Sequence, residues 1–427
     1  MPNRREFCRA AGAALLTPAF LRPFAAKAAT PNSNILVAIM LAGGNDGFNT
    51  VVPLKQFGVY TDLRKPASAP SDPSMAVNLP LSSLAATAFD DNYTTPASKA
   101  TTYAFHPAMT SLRALYAAGK VAVINGVGIP PADTNRLSHE TGQFDWQTGT
   151  INKTGGQPVG WLGQVLDNAK GGRLPAMISL SGEAPVLMLG KLNGPLALSS
   201  PLEGFTLYNG TWDWIDGPAR LAQFRKTDEY SAGSTTGNFV RNMSLGADDL
   251  TYAIQDVAKA EEVLDYPTQT TYLGQQLQQI ARLILSGSGT TAYYAVQGSY
   301  DTHSAQQSFQ PALLADLSDS ISTFYNYLAK KGKSRNVMIT TLSDFGRRAA
   351  ANSTLGTDHG TSNVVFAIGD AVKGGTFGEY SNLSSLDDSG NVAIKVDFRN
   401  QISDLIGYLG GDATPILGKT YQKLGFI

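Results

Sequence analysis

The chain holds four histidines, each in a short polar segment. They are His106 in Ala104-Phe105-His106-Pro107, His139 in Leu137-Ser138-His139-Glu140, His303 in Tyr300-Asp301-Thr302-His303 and His359 in Thr357-Asp358-His359-Gly360. Imidazole near carboxylate serves two chemistries: proton transfer near neutral pH, and ligation of a borderline divalent metal. Three aspartates join the set. Asp46, Asp301 and Asp344 each follow an apolar run and lie in a glycine-containing loop. Carboxylates brought together repel unless a cation neutralises them, so their convergence would call for a metal.

The elements that must position these groups are legible as apolar runs. Asn34–Leu41 is apolar on both faces and rich in β-formers, which predicts a central parallel strand covered on both sides. Val121–Val127, Ala292–Val296, Asn336–Leu342 and Asn363–Ile368 read the same way. Helical spacing predicts helices over His106–Ala118, Glu140–Gln147, Trp161–Asn168, Asp248–Ser286 and Pro311–Lys331. This alternation predicts an α/β fold, a mostly parallel central sheet flanked by helices on both faces. Right-handed crossovers then bring the strand C-termini, and with them Asp46, Asp301 and Asp344, to one edge. Residues 174–246 are broken by Gly and Pro into short β-like pieces and read as a β-rich insertion. Within it Met177–Leu180 and Val186–Leu189 are expected to form a hairpin, and Trp212 and Trp214 to pack. No internal repeat or linker divides residues 30–427, which read as one domain.

Composition narrows the function classes. Net charge is −1, with no basic stripe, which argues against nucleic-acid binding. Arg4-Arg5-Glu6-Phe7 followed by an Ala-rich apolar stretch and Ala26-Lys27-Ala28 reads as a twin-arginine export signal over residues 1–29. Its apolar run is too short for a stable membrane span. The expected location is therefore periplasmic or extracellular, with the twin-arginine export machinery as a partner. The one cysteine, Cys8, falls inside this signal. A metal in the mature chain would then rest on oxygen and imidazole ligands alone.

The segments Gly43-Gly44-Asn45-Asp46-Gly47, Ser138-His139, Asp301-Thr302-His303, Ser343-Asp344-Phe345-Gly346-Arg347, Gly356-Thr357-Asp358-His359-Gly360 and Asp397-Phe398-Arg399 together resemble the exported bacterial family known as domain of unknown function 1501. More broadly, their order resembles the alkaline phosphatase-like superfamily of phosphatases and sulfatases. The resemblance runs from the signal to the end of the chain. It implies an alkaline phosphatase-like fold and a divalent metal (Zn, Mn, Mg or Ca; one ion or none). Asp46 and Asp344 would sit at one metal position, and Asp301, His303 and His359 at another. It also implies Ser138 as nucleophile, with His139 as its neighbour, and an arginine (Arg136, Arg347 or Arg348) clamping an anionic small-molecule or polymer ester. Two departures stand in the sequence. Phe345 occupies a place where the phosphatase pattern has His, and Asp301 and His303 are two apart where that pattern has four. Without a cysteine in the mature chain, a cysteine-derived formylglycine is excluded.

Each residue also has a plain structural reading. Asp46 suits a turn, Asp344 and Ser138 suit helix caps, and His106 before Pro107 suits a helix start. Asp358 suits a partner that orients His359. Two functions follow from the sequence: an exported metal-dependent hydrolase of phosphate or sulfate esters, or a non-catalytic exported binding or envelope-assembly protein that keeps the fold.

Overall fold

The computed structural model describes residues 33–65, 76–90, 101–130, 137–151, 158–169, 171–199, 202, 226, 234–259 and 265–427. The expected signal, Arg136, Trp212 and Trp214 lie outside these residues. The strands in chain order are β1 (Ile35–Leu41), β2 (Val51–Pro53), β3 (Ala88–Asp90), β4 (Thr101–Phe105), β5 (Val121–Gly128), β6 (Met177–Ser179) and β7 (Leu196–Ala197). They continue as β8 (Ala292–Gln297), β9 (Val337–Ser343), β10 (Gly346–Ala351), β11 (Thr357–Gly360), β12 (Asn363–Gly369), β13 (Gly375–Gly378) and β14 (Val396–Asp397).

The central sheet has the order β13-β5-β12-β9-β1-β8-β6-β7, with β14 beside β5. β1 lies between two parallel neighbours, Ile39 standing opposite Ala295 of β8 and Thr341 of β9. β12 alone among these pairings runs antiparallel, to both β9 and β5. Its N-terminal end therefore lies at the edge where β1, β5, β8 and β9 have their C-terminal ends. The apolar run of β1 is continuous because both its faces are covered. Val37, Ile39 and Leu41 pack with helices Tyr272–Leu285 and Gln306–Lys330, while Leu36, Ala38 and Met40 pack with Trp146, Trp161 and Phe398. Truncating a side chain such as Ile39 to Ala would cost about 2–5 kcal/mol. Separate antiparallel strands form two small sheets, β2-β4-β3 and β10-β11.

Several expected elements take a different form. The proposed hairpin in residues 177–189 does not form. β6 instead extends the main sheet in parallel with β8, Ile178 opposite Tyr293, and Val186–Met188 is a single 3-10 turn. The helical stretch read over Asp248–Ser286 is two helices, Thr235–Lys259 and Tyr272–Leu285. Pro267 falls between them and Thr271 caps the second by accepting from the Gly274 N–H. Helix Gln306–Lys330 starts five residues before Pro311, which had read as its beginning. No helix among the described residues is long and apolar enough to cross a membrane.

Candidate metal centre

Four connections meet at the shared strand edge. β8 runs into Ser299, held at φ 72°, and delivers Asp301 and His303. β9 ends at Ser343 and delivers Asp344, Phe345 and Arg347. The reversed β12 is entered from β11, so His359 arrives at the same edge. The chain leaving β5 leads to helix His139–Thr148, whose first residue is His139. Glycine permits the close packing here. A Cβ on Gly43, whose φ is +118°, would stand 2.4 Å from the Asp301 nitrogen, and one on Gly142 would stand 2.5 Å from the Asp344 carbonyl oxygen.

Three imidazoles gather around one carboxylate. His303 Nε2 and His359 Nε2 each lie 3.2 Å from Asp301 Oδ1, and His139 Nε2 lies 3.4 Å from Asp301 Oδ2. The Nε2 atoms of His303 and His359 are 2.9 Å apart. Ligand atoms of His139, Asp301 and His359 all fall within 4.8 Å of one another. Each ring is held from behind through Nδ1. His139 donates to Asp344 Oδ2 at 2.6 Å, His303 to Asp358 Oδ1 at 3.2 Å, and His359 to the Leu137 carbonyl at 2.7 Å. A carbonyl or an ionised carboxylate accepts only, so Nδ1 carries the proton and Nε2 presents a lone pair. Lone pairs facing one another and a carboxylate repel unless a cation lies among them.

The spacing fits such a cation. Bonds of about 2.0–2.2 Å in tetrahedral geometry give ligand–ligand separations of about 3.3–3.6 Å. The contacts to Asp301 at 3.2–3.4 Å lie close to that range, and His139, Asp301 and His359 are all within mutual reach. Partial burial holds His359 below the usual histidine range, which keeps the ring neutral and able to ligate. Burial opposes ionisation of Asp301, yet the hydrogen bond and charge of Arg347 hold its carboxyl down at about 2. The side chains of Asp301 and His303 remain 47% and 42% exposed, so the centre opens to solvent on one side.

The expected clamp Arg347 is spent inside the protein. Its buried guanidinium donates to the carbonyls of Gly43, Gly44, Tyr300 and Thr357 and to Asp301 Oδ1. It ties three loops together and has no free face for a substrate. Arg348, half-exposed, lies 3.9 Å from Asp358. Phe345 is buried, with ring centroids 5.0 Å from His139 and 4.4 Å from His359, and forms an apolar wall behind two ligand candidates.

Four other expectations are corrected by geometry. Asp46, read as a metal ligand, is fully buried with both oxygens taken. Arg64 grips it through Nη1 and Nη2, Gln306 donates to Oδ2, and the Phe48 N–H donates to Oδ1. Burial opposes its ionisation, but the Arg64 charge prevails and holds its pKa low. Asp344 stands one bond behind the cluster, its Oδ2 accepting from His139, Gln143 and the Gly43 N–H. Ser138, read as a nucleophile, caps its helix. Its hydroxyl accepts from the Thr141 N–H at 3.3 Å and donates its proton to the Thr141 hydroxyl oxygen, with no imidazole or carboxylate bonded to it among the described residues. Asp358 orients His303 where it had been expected to orient His359. His106 is apart from the centre, its Nδ1 accepting from the Ala108 N–H.

Sequence reading missed two roles: His139 as a member of the cluster, and Arg64 as the counter-charge of Asp46. His139 follows the end of its strand at Gly128 by eleven residues, so strand-end logic did not reach it. Arg64 stands 18 residues from Asp46 with no local motif linking them.

Fold and site define an α/β protein with a cluster of imidazoles and one carboxylate at the strand C-terminal edge. Residues 251–408, which carry Asp301, His303, Asp344 and His359, match the model of a family described as protein of unknown function (DUF1501). No curated protein matches the chain. Among solved structures the chain is similar to the PsFucS1 sulfatase from Pseudoalteromonas sp., at 11% identity and TM-score 0.38, covering 92% of this chain and 70% of that one. It is also similar to Ps i-CgsB in complex with k-i-k-neocarrahexaose, at 10% identity and TM-score 0.37, covering 92% and 76%. At such scores any assignment of chemistry rests on this chain's own side chains.

Proposed function

We propose that this chain is an exported, metal-dependent hydrolase of anionic esters whose divalent ion is held by His139, His359 and Asp301, with His303 beside them. The observation that carries the reading is the orientation of the three imidazoles. Each is fixed through Nδ1 so that three Nε2 lone pairs meet at one carboxylate. Two nitrogens and one oxygen, with a position left open, suit zinc or a similar late first-row ion better than Mg or Ca, which prefer all-oxygen shells. Such an ion, when bound, supplies Lewis-acid stabilisation to a phosphoryl or sulfuryl oxygen.

The chain's own residues do the rest. Arg347 fixes Asp301 and the Gly43-Gly44 loop, and Phe345 excludes water from behind two rings. The ester approaches through the side where Asp301 and His303 are exposed. Water serves as the attacking group, because among the described residues the Ser138 hydroxyl has no base bonded to it. The reading is tested by assaying protein purified without a tag on aryl phosphate and aryl sulfate panels. Turnover is expected that disappears on chelation, returns with zinc, and survives Ser138→Ala. Turnover indifferent to chelation would sink the metal role, and its loss in a folded Ser138→Ala variant would restore serine as nucleophile. No turnover by zinc-loaded protein on any panel member would favour the non-catalytic binding or assembly role.

A further inference from the structure

Two strand-end aspartates are fully buried in this fold, and their surroundings differ in one decisive respect. Asp46 is neutralised on the spot by Arg64, both side chains being 0% exposed. Asp344 is equally inaccessible but has no arginine or lysine bonded to it among the described residues. Its Oδ2 receives His139 Nδ1 at 2.6 Å, the Gly43 N–H at 3.0 Å and Gln143 Nε2 at 3.2 Å, while its Oδ1 is buried with no hydrogen-bond partner among the described residues. A buried carboxylate without a cation is costly, by several kcal/mol even after relaxation. The route by which positive charge reaches Asp344 is the His139 ring, whose Nε2 faces Asp301 at 3.4 Å.

We propose that Asp344 is the positioning residue that sets metal affinity, acting through His139, with Asp358 a weaker counterpart acting through His303. This rests on the metal-centre reading above and deepens it. A carboxylate behind a ligating imidazole fixes its tautomer and raises its donor strength, and losing one typically costs 10–100-fold in metal affinity. Asp344 has the larger effect for three reasons. Its bond to the ring is shorter, 2.6 against 3.2 Å. It is buried, while Asp358 is 43% exposed and screened. And Asp358 shares its charge with Asn352 and, at 3.9 Å, with Arg348.

The test measures zinc affinity by competition with a chromophoric chelator, and the visible spectrum of the cobalt-loaded protein, for the full chain and for Asp344→Asn and Asp358→Asn. Asparagine keeps an acceptor for the imidazole and removes the charge. Asp344→Asn is expected to weaken zinc binding about 10–100-fold and to shift the cobalt spectrum, with the metal-free melting temperature unchanged or raised, since an unpaired buried charge is gone. Asp358→Asn weakens binding by a smaller factor. Unchanged affinity in Asp344→Asn, or a larger loss in Asp358→Asn, overturns the inference while leaving the metal centre intact. A wild-type chain that binds no zinc removes both. If Asp344→Asn does not fold, Asp358→Asn decides alone: unchanged affinity and spectrum there contradict the proposal.

Discussion

At the scale of single residues, what distinguishes the aspartates is the charge beside them. Asp46, Asp301 and Asp344 are alike in sequence, each closing a strand. Arg64 fills the role of counter-ion to Asp46 so completely that no acceptor site is left for a metal. Asp46→Asn is therefore expected to leave bound metal unchanged while lowering stability by about 3–5 kcal/mol, because Arg64 is left charged and unpaired in the interior. Denaturant unfolding alongside metal analysis checks both halves. Loss of metal from folded Asp46→Asn protein would return that residue to the ligand set.

At the scale of elements, the reversed strand β12 is what completes the centre. Running against β9 and β5, it lets β11 hand His359 to the edge where its parallel neighbours end. The sequence shows the apolar run of β12 but not its direction, since both directions bury the same side chains. The strands themselves were legible, because a run apolar on both faces has few other uses; β1, β5, β8, β9 and β12 fall within a residue or two of their expected bounds. The short pieces were not, and β6 shows why: three residues fit a hairpin or a parallel edge equally well until Ile178 is placed opposite Tyr293. Of the residues that converge at this edge, Asp301, His303 and His359 were singled out by motif and strand end. The tethering of Asp344 behind His139 and the internal fork of Arg347 depend on contacts over 205 and 304 residues that no local pattern records, whereas the cap by Ser138 is local and its residue type allowed it.

His106, between β4 and helix Thr110–Ala117, ties this scale to pH. Burial pushes its imidazole down to about 4, with Asp46 opposing the shift. Its unfolded form takes up a proton near pH 6.5 while the folded form resists. The unfolded state therefore binds more protons between pH 6.5 and 4, and stability falls as pH drops through that window, by at most about 3 kcal/mol. Denaturation curves of chelated protein at pH 7 and pH 4.5 should show this fall reduced in His106→Asn, whose amide oxygen can still accept from Ala108. Equal falls in the two proteins would mean that another group carries the effect.

At the scale of the whole molecule, the proposed export has to deliver a centre assembled from distant parts of the chain. Twin-arginine export carries folded proteins, which suits a centre that must close before delivery. Changing Arg4 and Arg5 together to Lys is expected to leave the folded chain inside the cell, as fractionation would show; unimpaired export of that variant would refute the signal. His139, Asp301, His303 and His359 come from three segments spread over more than 200 residues of sequence and meet only in the folded sheet. A bound ion would tie those loops together, so chelation should lower the melting temperature. The most direct test is the divalent-metal content of the untagged wild-type chain beside His359→Ala and Asp46→Asn. The account predicts one ion per chain in the wild type and in Asp46→Asn, and none in His359→Ala. A metal-free wild type that stays metal-free when zinc is offered, or a His359→Ala variant that keeps its ion, would contradict it.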